Sequence, residues 1–98
     1  MLDYSRESIS LAYGKSRQDL DDDRTLNLAQ ARLLEIIGEA ANRVPIGFQM
    51  EHFEIKWGQI VSLRNRLIHG YDSIDFDIMW SIIQSDLPEL VEKLESII

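Results

Sequence analysis

The sequence predicts an all-α fold, a small antiparallel bundle of four to five helices. Apolar residues recur at intervals of three and four through most of the chain, and this spacing places them on one face of a helix. The regular alternation and the Asn-Gly or Asp-Gly turns of β-hairpins do not occur in the sequence. The polar segments between the apolar stretches are short, which favours helices that pack antiparallel to their neighbours.

An acidic stretch separates the first two helices. The first helix is predicted over residues 2–15, with Ile9 and Tyr13 on one face. The polar stretch at residues 16–24 contains four aspartates. We interpret them as caps and solvating charges of the next helix, because negative charge near a helix start interacts favourably with the helix dipole. A metal site is the less favoured interpretation of the same aspartates.

The second helix has the clearest pattern in the sequence. It is predicted over residues 25–43. Gly38 lies inside it, and since a glycine there costs ~1 kcal/mol relative to alanine, we expect another helix to approach closely at this point. Residues 45–56 are predicted to form an irregular connection with a short helical turn near residues 50–53. His52 in this connection is interpreted as an exposed loop histidine.

Two further helices and a final helical segment complete the predicted bundle. The third helix is predicted over residues 57–69, with Gly70 as its C-terminal cap. The fourth helix is predicted over residues 75–85. Pro88 then either starts a fresh helical turn or bends a continuous helix.

Length and composition exclude several classes of protein. Ninety-eight residues allow one domain, spanning residues 1–98. The absence of cysteine excludes a disulfide scaffold, a thiolate zinc site and a cysteine nucleophile, and two histidines argue against a dedicated zinc site. The first ten residues lack the apolar core of a secretion signal, and no apolar run approaches ~20 residues. We therefore expect a cytoplasmic protein with no metal or cofactor of its own.

The charge is distributed unevenly along the chain. The formal net charge is −7, which by itself argues against extensive contact with a nucleic acid. Residues 56–71, however, contain three basic residues and no acidic one, so this segment carries +3 and the rest of the chain carries −10. A small basic patch of this kind can bind one phosphate group even on an acidic protein.

The basic patch ends in an unusual concentration of hydrogen-bond donors, namely Arg64, Asn65, Arg66, His69 and Tyr71. On a continuing helix, Asn65 and His69 are four residues apart and share one face, and Arg64 and Tyr71 are two turns apart. Arg64 and His69 are separated by about 140° on such a helix. Two chains related by a two-fold axis could surround a shared cleft with both pairs, so a homodimer is part of the prediction.

These residue types suit the cleavage of a phosphodiester. The Arg64 guanidinium can bind phosphate oxygens and stabilise the charge that develops in the transition state. His69 can move the proton of an RNA 2′-hydroxyl or of the leaving 5′-oxygen. Asn65 can hold the imidazole or a phosphate oxygen. Arg66 either contacts RNA or pairs with an acidic residue across the dimer. The chemistry requires no metal.

Residues 64–71 read R-x4-H-x-Y with an asparagine after the arginine, and this pattern resembles the signature of the HEPN superfamily, in particular its HepT-like toxins. The resemblance extends to the stretch LEIIGEAA at residues 34–41, to Trp57 and Trp80, and to Leu87-Pro88. It therefore covers most of the chain.

The resemblance implies a small helical fold that dimerises through the motif helices. It implies a metal-independent ribonuclease with Arg64 and His69 as catalytic residues. It also implies a partner, a minimal nucleotidyltransferase antitoxin of the MntA type. That partner would use ATP to transfer AMP to Tyr71 and so silence the toxin.

Two other functions are open at the level of sequence. One is a helical interaction module that binds and regulates a nucleotidyltransferase without cleaving RNA, and the net charge of −7 favours it. The other is binding of nucleotides or RNA ends without cleavage. Trp57 and Trp80 are interpreted as core or interface residues. Glu35 and Glu39 are interpreted as solvent-exposed or salt-bridged residues that could pair with the motif arginines.

Overall fold

Helices make up most of the described part of the chain. A computed structural model describes residues 1–68 and 73–97. Within these ranges it contains eight α-helices and one π-helical turn: α1 (Leu2–Ala12), α2 (Arg17–Asp22), α3 (Arg24–Asn42), α4 (Ile46–Glu51), α5 (Trp57–Val61), α6 (Leu63–Leu67), α7 (Phe76–Ser81), the π turn (Ile82–Asp86) and α8 (Leu87–Ile97). The predicted all-α class is confirmed.

The bundle consists of four rods: α1, α3, α5 with α6, and α7 with the π turn and α8. α1, the α5–α6 rod and α3 itself pack together, and the rod made of α7, the π turn and α8 closes the bundle against α1 and α6. The Cα atoms span 41 × 30 × 16 Å, so the molecule is a flat bundle. Its centre is filled by fully buried side chains from most of the rods, including Leu34, Ile37, Leu63, Met79 and Ile82.

The N-terminal part differs from the prediction at two points. α1 ends at Ala12 rather than at residue 15, because Tyr13 is extended and Gly14 turns the chain with φ +75°. The polar stretch contains the short helix α2, which Asp19 stabilises by accepting the Ser16 backbone N–H at 2.7 Å. Asp23 accepts the Leu26 N–H at 3.0 Å and caps α3. The interpretation of the aspartates as caps of the next predicted helix is therefore confirmed for Asp23, while Asp19 caps the additional helix α2.

α3 was predicted to within one residue at each end. Its buried face includes Leu26, Leu33 and Ile37, which follow the helical spacing of three and four. A Cβ placed on Gly38 would lie 3.1 Å from the Ile60 carbonyl oxygen, which belongs to α5. The close approach of another helix that Gly38 predicted is therefore confirmed.

The connection after α3 is more ordered than predicted, because it contains the helix α4. The Gln49 side-chain amide donates to the carbonyl oxygens of Ala41 and Val44 at 3.2 and 3.0 Å, which ties α4 to the end of α3. The Trp57 indole N–H donates to the His52 carbonyl at 3.0 Å, and Trp57 is buried. Its interpretation as a core residue is confirmed.

The prediction of one continuous third helix over residues 57–69 is wrong. The segment forms two short helices, α5 and α6, and the second ends at Leu67. Ser62 interrupts the segment with φ −87° and ψ 6°, and Ile68 is already extended. The reason is non-local: Ile68 forms an antiparallel β-bridge with Ile74, and the Asp75 N–H donates to the Leu67 carbonyl at 2.8 Å. The predicted glycine cap at residue 70 lies outside the described residues.

The predicted fourth helix and the final segment form one continuous rod. Asp75 caps its start by accepting the Ile78 N–H at 3.0 Å. In the π turn the Leu87 N–H bonds to the Ile82 carbonyl, five residues earlier. Pro88 has no N–H and would clash with the carbonyl four residues before it in a regular α-helix. The wider turn before Pro88 accommodates the proline without breaking the rod.

Candidate active site

Helix α6 presents the polar residues of the motif on the protein surface. Leu63 and Leu67, four residues apart, are buried and anchor the helix to the core. Arg64 and Asn65 are exposed, and Arg66 is half-buried. The short helix therefore directs these three side chains outward from a fixed apolar base.

Arg64 lies in a surface cleft between α3 and the end of α6. The cleft has a volume of about 140 Å³, and its lining residues are Ala31, Glu35, Arg64, Leu67, Ile68 and Ile74. Arg64 makes no ion pair with any residue in the described ranges. Its guanidinium is therefore available to bind an anion in this cleft.

Arg66 occupies a different surface of the same helix. Its Nη1 donates to Asp86 Oδ2 in the π turn at 3.0 Å. The two side chains line a second groove together with Lys56, Glu89 and Lys93. Arg66 thus pairs with an acidic residue of its own chain, whereas the sequence interpretation placed such a pair across a dimer. α6 thus divides the predicted basic patch between two surfaces.

The second groove contains a further ion pair. Lys93 Nζ donates to Glu89 Oε1 at 2.7 Å, and this hydrogen bond lowers the pKa of the Glu89 carboxyl, with added contributions from the charges of Lys93 and Lys56. Lys93 also donates to the Glu54 carbonyl oxygen at 2.7 Å. Most cations of this groove are thus held by neighbouring oxygens, unlike Arg64.

His69 and Tyr71 lie outside the described residues. The predicted spacing assumed that the helix continues through residues 69–71, whereas α6 ends at Leu67 and Ile68 is extended. Arg64 and Asn65 are the second and third residues of α6, and the histidine and tyrosine follow Ile68 in the sequence.

The acidic residues of α3 do not pair with the motif arginines. Glu35 Oε1 lies 3.2 Å from Arg32 Nη1 on the same helix, so its interpretation as a salt-bridged residue is confirmed with a different partner. Glu39 is exposed. Sequence reasoning missed Asp86 as the partner of Arg66, since the two residues are 20 positions apart and no local pattern connects them.

Several other sequence interpretations can be compared with the structure. His52 is half-buried rather than exposed: its ring centroid lies 4.4 Å from that of Phe48, and its Nδ1 lies 3.5 Å from Glu54 Oε1. Trp80 packs against the core, as predicted.

Within residues 1–68 and 73–97 no group of three or more His, Asp or Glu side chains could hold a metal ion. None of the helices in this part of the chain is both long and apolar enough to cross a membrane.

Comparison with known proteins identifies a family for this chain. A family model described as "Ribonuclease HepT-like" matches residues 1–97. A candidate RNase of Caldanaerobacter subterraneus subsp. tengcongensis is 36% identical over 85 residues, which are 87% of this chain and 76% of the relative. A candidate HepT ribonuclease of Thermococcus cleftensis is 36% identical over 80 residues, 82% of this chain and 73% of the relative.

A third relative comes from another archaeon. A candidate RNase of Methanocaldococcus jannaschii is 35% identical over 74 residues, which are 76% of this chain and 68% of the relative. No solved structure matches the chain.

Proposed function

Because this chain belongs to the ribonuclease HepT-like family, we propose that it is a metal-independent endoribonuclease and the toxin of a type VII-like toxin–antitoxin pair. The observation that carries the proposal is the placement of Arg64, the first residue of the R-x4-H-x-Y segment. Its guanidinium is exposed, has no ion-pair partner in the described part of the chain, and lines a cleft between two helices. The RNase names of the relatives support the same assignment.

The proposed reaction is an internal transfer at the scissile phosphate. The RNA 2′-oxygen attacks phosphorus and the bond to the 5′-oxygen breaks, which leaves a 2′,3′-cyclic phosphate and a 5′-hydroxyl. Arg64 binds the phosphate oxygens and stabilises the charge that develops on them. His69 takes the proton of the 2′-hydroxyl or gives one to the leaving 5′-oxygen. Asn65 holds the imidazole or a phosphate oxygen.

Arg66 is proposed to assist in RNA binding from the neighbouring surface. It gives one hydrogen bond to Asp86, and its side chain is 34% exposed. A guanidinium has five N–H donors, so donors remain for a phosphate of the same RNA strand.

The active form is proposed to be a homodimer. Two copies related by a two-fold axis would bring two motif segments, and hence two histidines, to one cleft. The reaction removes a proton from the 2′-hydroxyl and gives one to the leaving 5′-oxygen, and in the dimer one histidine would serve each transfer.

A partner protein is proposed to control the enzyme through Tyr71. A minimal nucleotidyltransferase antitoxin would join the tyrosyl oxygen to the α-phosphorus of ATP, with pyrophosphate as the leaving group. The AMP group would add bulk and negative charge close to Arg64 in the sequence. Both properties oppose the entry of an RNA phosphate.

The test is cleavage of total tRNA by mass-verified unmodified protein in the presence of EDTA. We expect Arg64→Ala and His69→Ala each to lower the cleavage rate by roughly 10²-fold or more, which is the usual contribution of such groups. Arg43→Ala is the matched control, since Arg43 is an exposed arginine just after the C-terminal end of α3, does not line the cleft, and should leave the rate unchanged. Equal cleavage by all four proteins would refute the mechanism.

A non-catalytic interaction module is the second candidate function. The net charge of −7 favours it, because most of the surface repels an RNA strand. It predicts a stable complex with the nucleotidyltransferase and no cleavage by the unmodified protein in the same assay.

A further inference from the structure

The cleft that contains Arg64 also contains a carboxylate. Glu35 on α3 lines it, and its side chain is 36% exposed. In the ion pair with Arg32, Glu35 Oε1 lies 3.2 Å from Arg32 Nη1. Because the Arg32 side chain is 63% exposed, this surface pair contributes little to stability and does not withdraw Glu35 from the cleft.

A carboxylate is an unexpected group beside an arginine that binds phosphate. It repels the phosphate that Arg64 attracts, and the chain outside the basic patch already carries an excess of negative charge. An ionised carboxylate only accepts hydrogen bonds, so its favourable ligands are donors. In RNA, the donor beside every backbone phosphate is the ribose 2′-hydroxyl, and DNA lacks this group.

The position of Glu35 relative to Arg64 is set by close helix packing. Gly38, one turn after Glu35, would place a Cβ only 3.1 Å from the Ile60 carbonyl oxygen at the end of α5. α6 follows after Ser62 and carries Arg64. The two side chains therefore face one cleft from elements that are held in contact through their backbones.

We propose that Glu35 accepts a hydrogen bond from a ribose 2′-hydroxyl of the bound strand and so makes the Arg64 cleft selective for RNA over DNA. The proposal rests on the proposed function, since it places the RNA backbone in this cleft. It adds a specificity-determining residue on α3, outside the R-x4-H-x-Y segment.

The experiment measures the affinity of one sequence as single-stranded RNA and as single-stranded DNA, by fluorescence anisotropy. All proteins carry His69→Ala so that the RNA stays intact. Glu35→Ala is expected to lower the ratio of RNA affinity to DNA affinity by about tenfold, the effect of losing one charge-assisted hydrogen bond. DNA affinity should stay equal or rise, because a repelling charge is removed.

Glu39→Ala is the matched control. It removes the same charge and the same side chain from the same helix, but Glu39 does not line the cleft. It should change RNA and DNA affinity by equal factors. Glu35→Gln keeps the size of the side chain and a weaker acceptor, so its affinity ratio should lie between those of the parent and Glu35→Ala.

Arg32→Ala separates the proposal from a purely structural role of the ion pair. If Glu35 acts only by holding Arg32, this variant will lower the affinity ratio as Glu35→Ala does, and the proposal is wrong. If Glu35→Ala changes RNA and DNA affinity by the same factor, the proposal for Glu35 is also wrong. RNA cleavage by the chain with His69 intact would in that case still support the proposed function. A parent protein that neither binds nor cleaves RNA would overturn both.

Discussion

At the scale of single residues, the polar side chains in the core are held by specific partners. Ser8 and Gln30 are fully buried, and they bond to each other twice between α1 and α3. The Ser8 hydroxyl donates to Gln30 Oε1, and Gln30 Nε2 donates to the Ser8 carbonyl at 2.9 Å. Every buried side-chain N or O atom in the described ranges has a hydrogen-bond partner. Loss of one partner would therefore leave the other buried and unsatisfied.

Ser8→Ala is expected to lower the free energy of unfolding by about 1–3 kcal/mol, because it leaves the Gln30 oxygen without a donor in the core. Urea denaturation measures the change. Ser10→Ala is the control, because Ser10 is exposed on the same helix, and it should change the stability by less than about 0.5 kcal/mol. Equal effects of the two substitutions would show that the pair contributes no stability.

At the scale of helices, the contact between α3 and the α5–α6 rod positions the candidate site. Gly38 allows the backbones to approach, and it lies between the part of α3 that carries Glu35 and the C-terminal end of that helix. The same rod then breaks at Ser62, so α6 can turn Leu63 inward while Arg64 remains on the surface. The cleft therefore depends on the spacing between two helices.

Gly38→Ala is expected to destabilise the fold by up to about 2 kcal/mol. The gain in helix propensity is about 1 kcal/mol, but a Cβ at 3.1 Å from a backbone carbonyl oxygen causes overpacking that costs about 1–3 kcal/mol. Thermal or urea denaturation measures the difference.

Gly58→Ala in α5 is the matched control for this substitution. No atom lies within 4 Å of the Cβ it would add, so only the propensity gain applies and the protein should become more stable by up to about 1 kcal/mol. If both substitutions raise the free energy of unfolding, the neighbouring rod moves to accommodate the methyl group at residue 38.

At the scale of the whole molecule, shape and charge bear on assembly. The chain forms a flat bundle only 16 Å thick between Cα atoms and carries a net charge of −7. Large apolar side chains remain on its surface, among them Ile46 and Met50 of α4, which are 72% and 71% exposed. A small domain with little interior gains stability from a second subunit.

We predict a homodimer of about 23 kDa, twice the 11.4 kDa of one chain. Sedimentation equilibrium at several concentrations measures this mass. Arg64→Ala should leave the mass unchanged, because Arg64 is assigned to the substrate and not to the subunit contact. A mass of one chain at every concentration would exclude the shared cleft.

The local features of this protein were predictable from the sequence. The bounds of α3, the capping role of Asp23 and the close approach at Gly38 depend on residue spacing and on groups within a few positions of one another. The proposal that Arg64 binds an anion comes from a short motif and stays a prediction. The family followed from the same motif together with its surroundings, and the comparisons confirmed it.

Only the tertiary structure decided how these parts meet. The pairing of Ile68 with Ile74 ends α6 early, and Arg66 bonds to Asp86, 20 positions away. The placement of Glu35 beside Arg64 likewise joins residues far apart in the chain. Periodicity along one helix contains no information about which side chain of another helix lies opposite. That depends on how the rods pack, and packing is a property of the whole bundle.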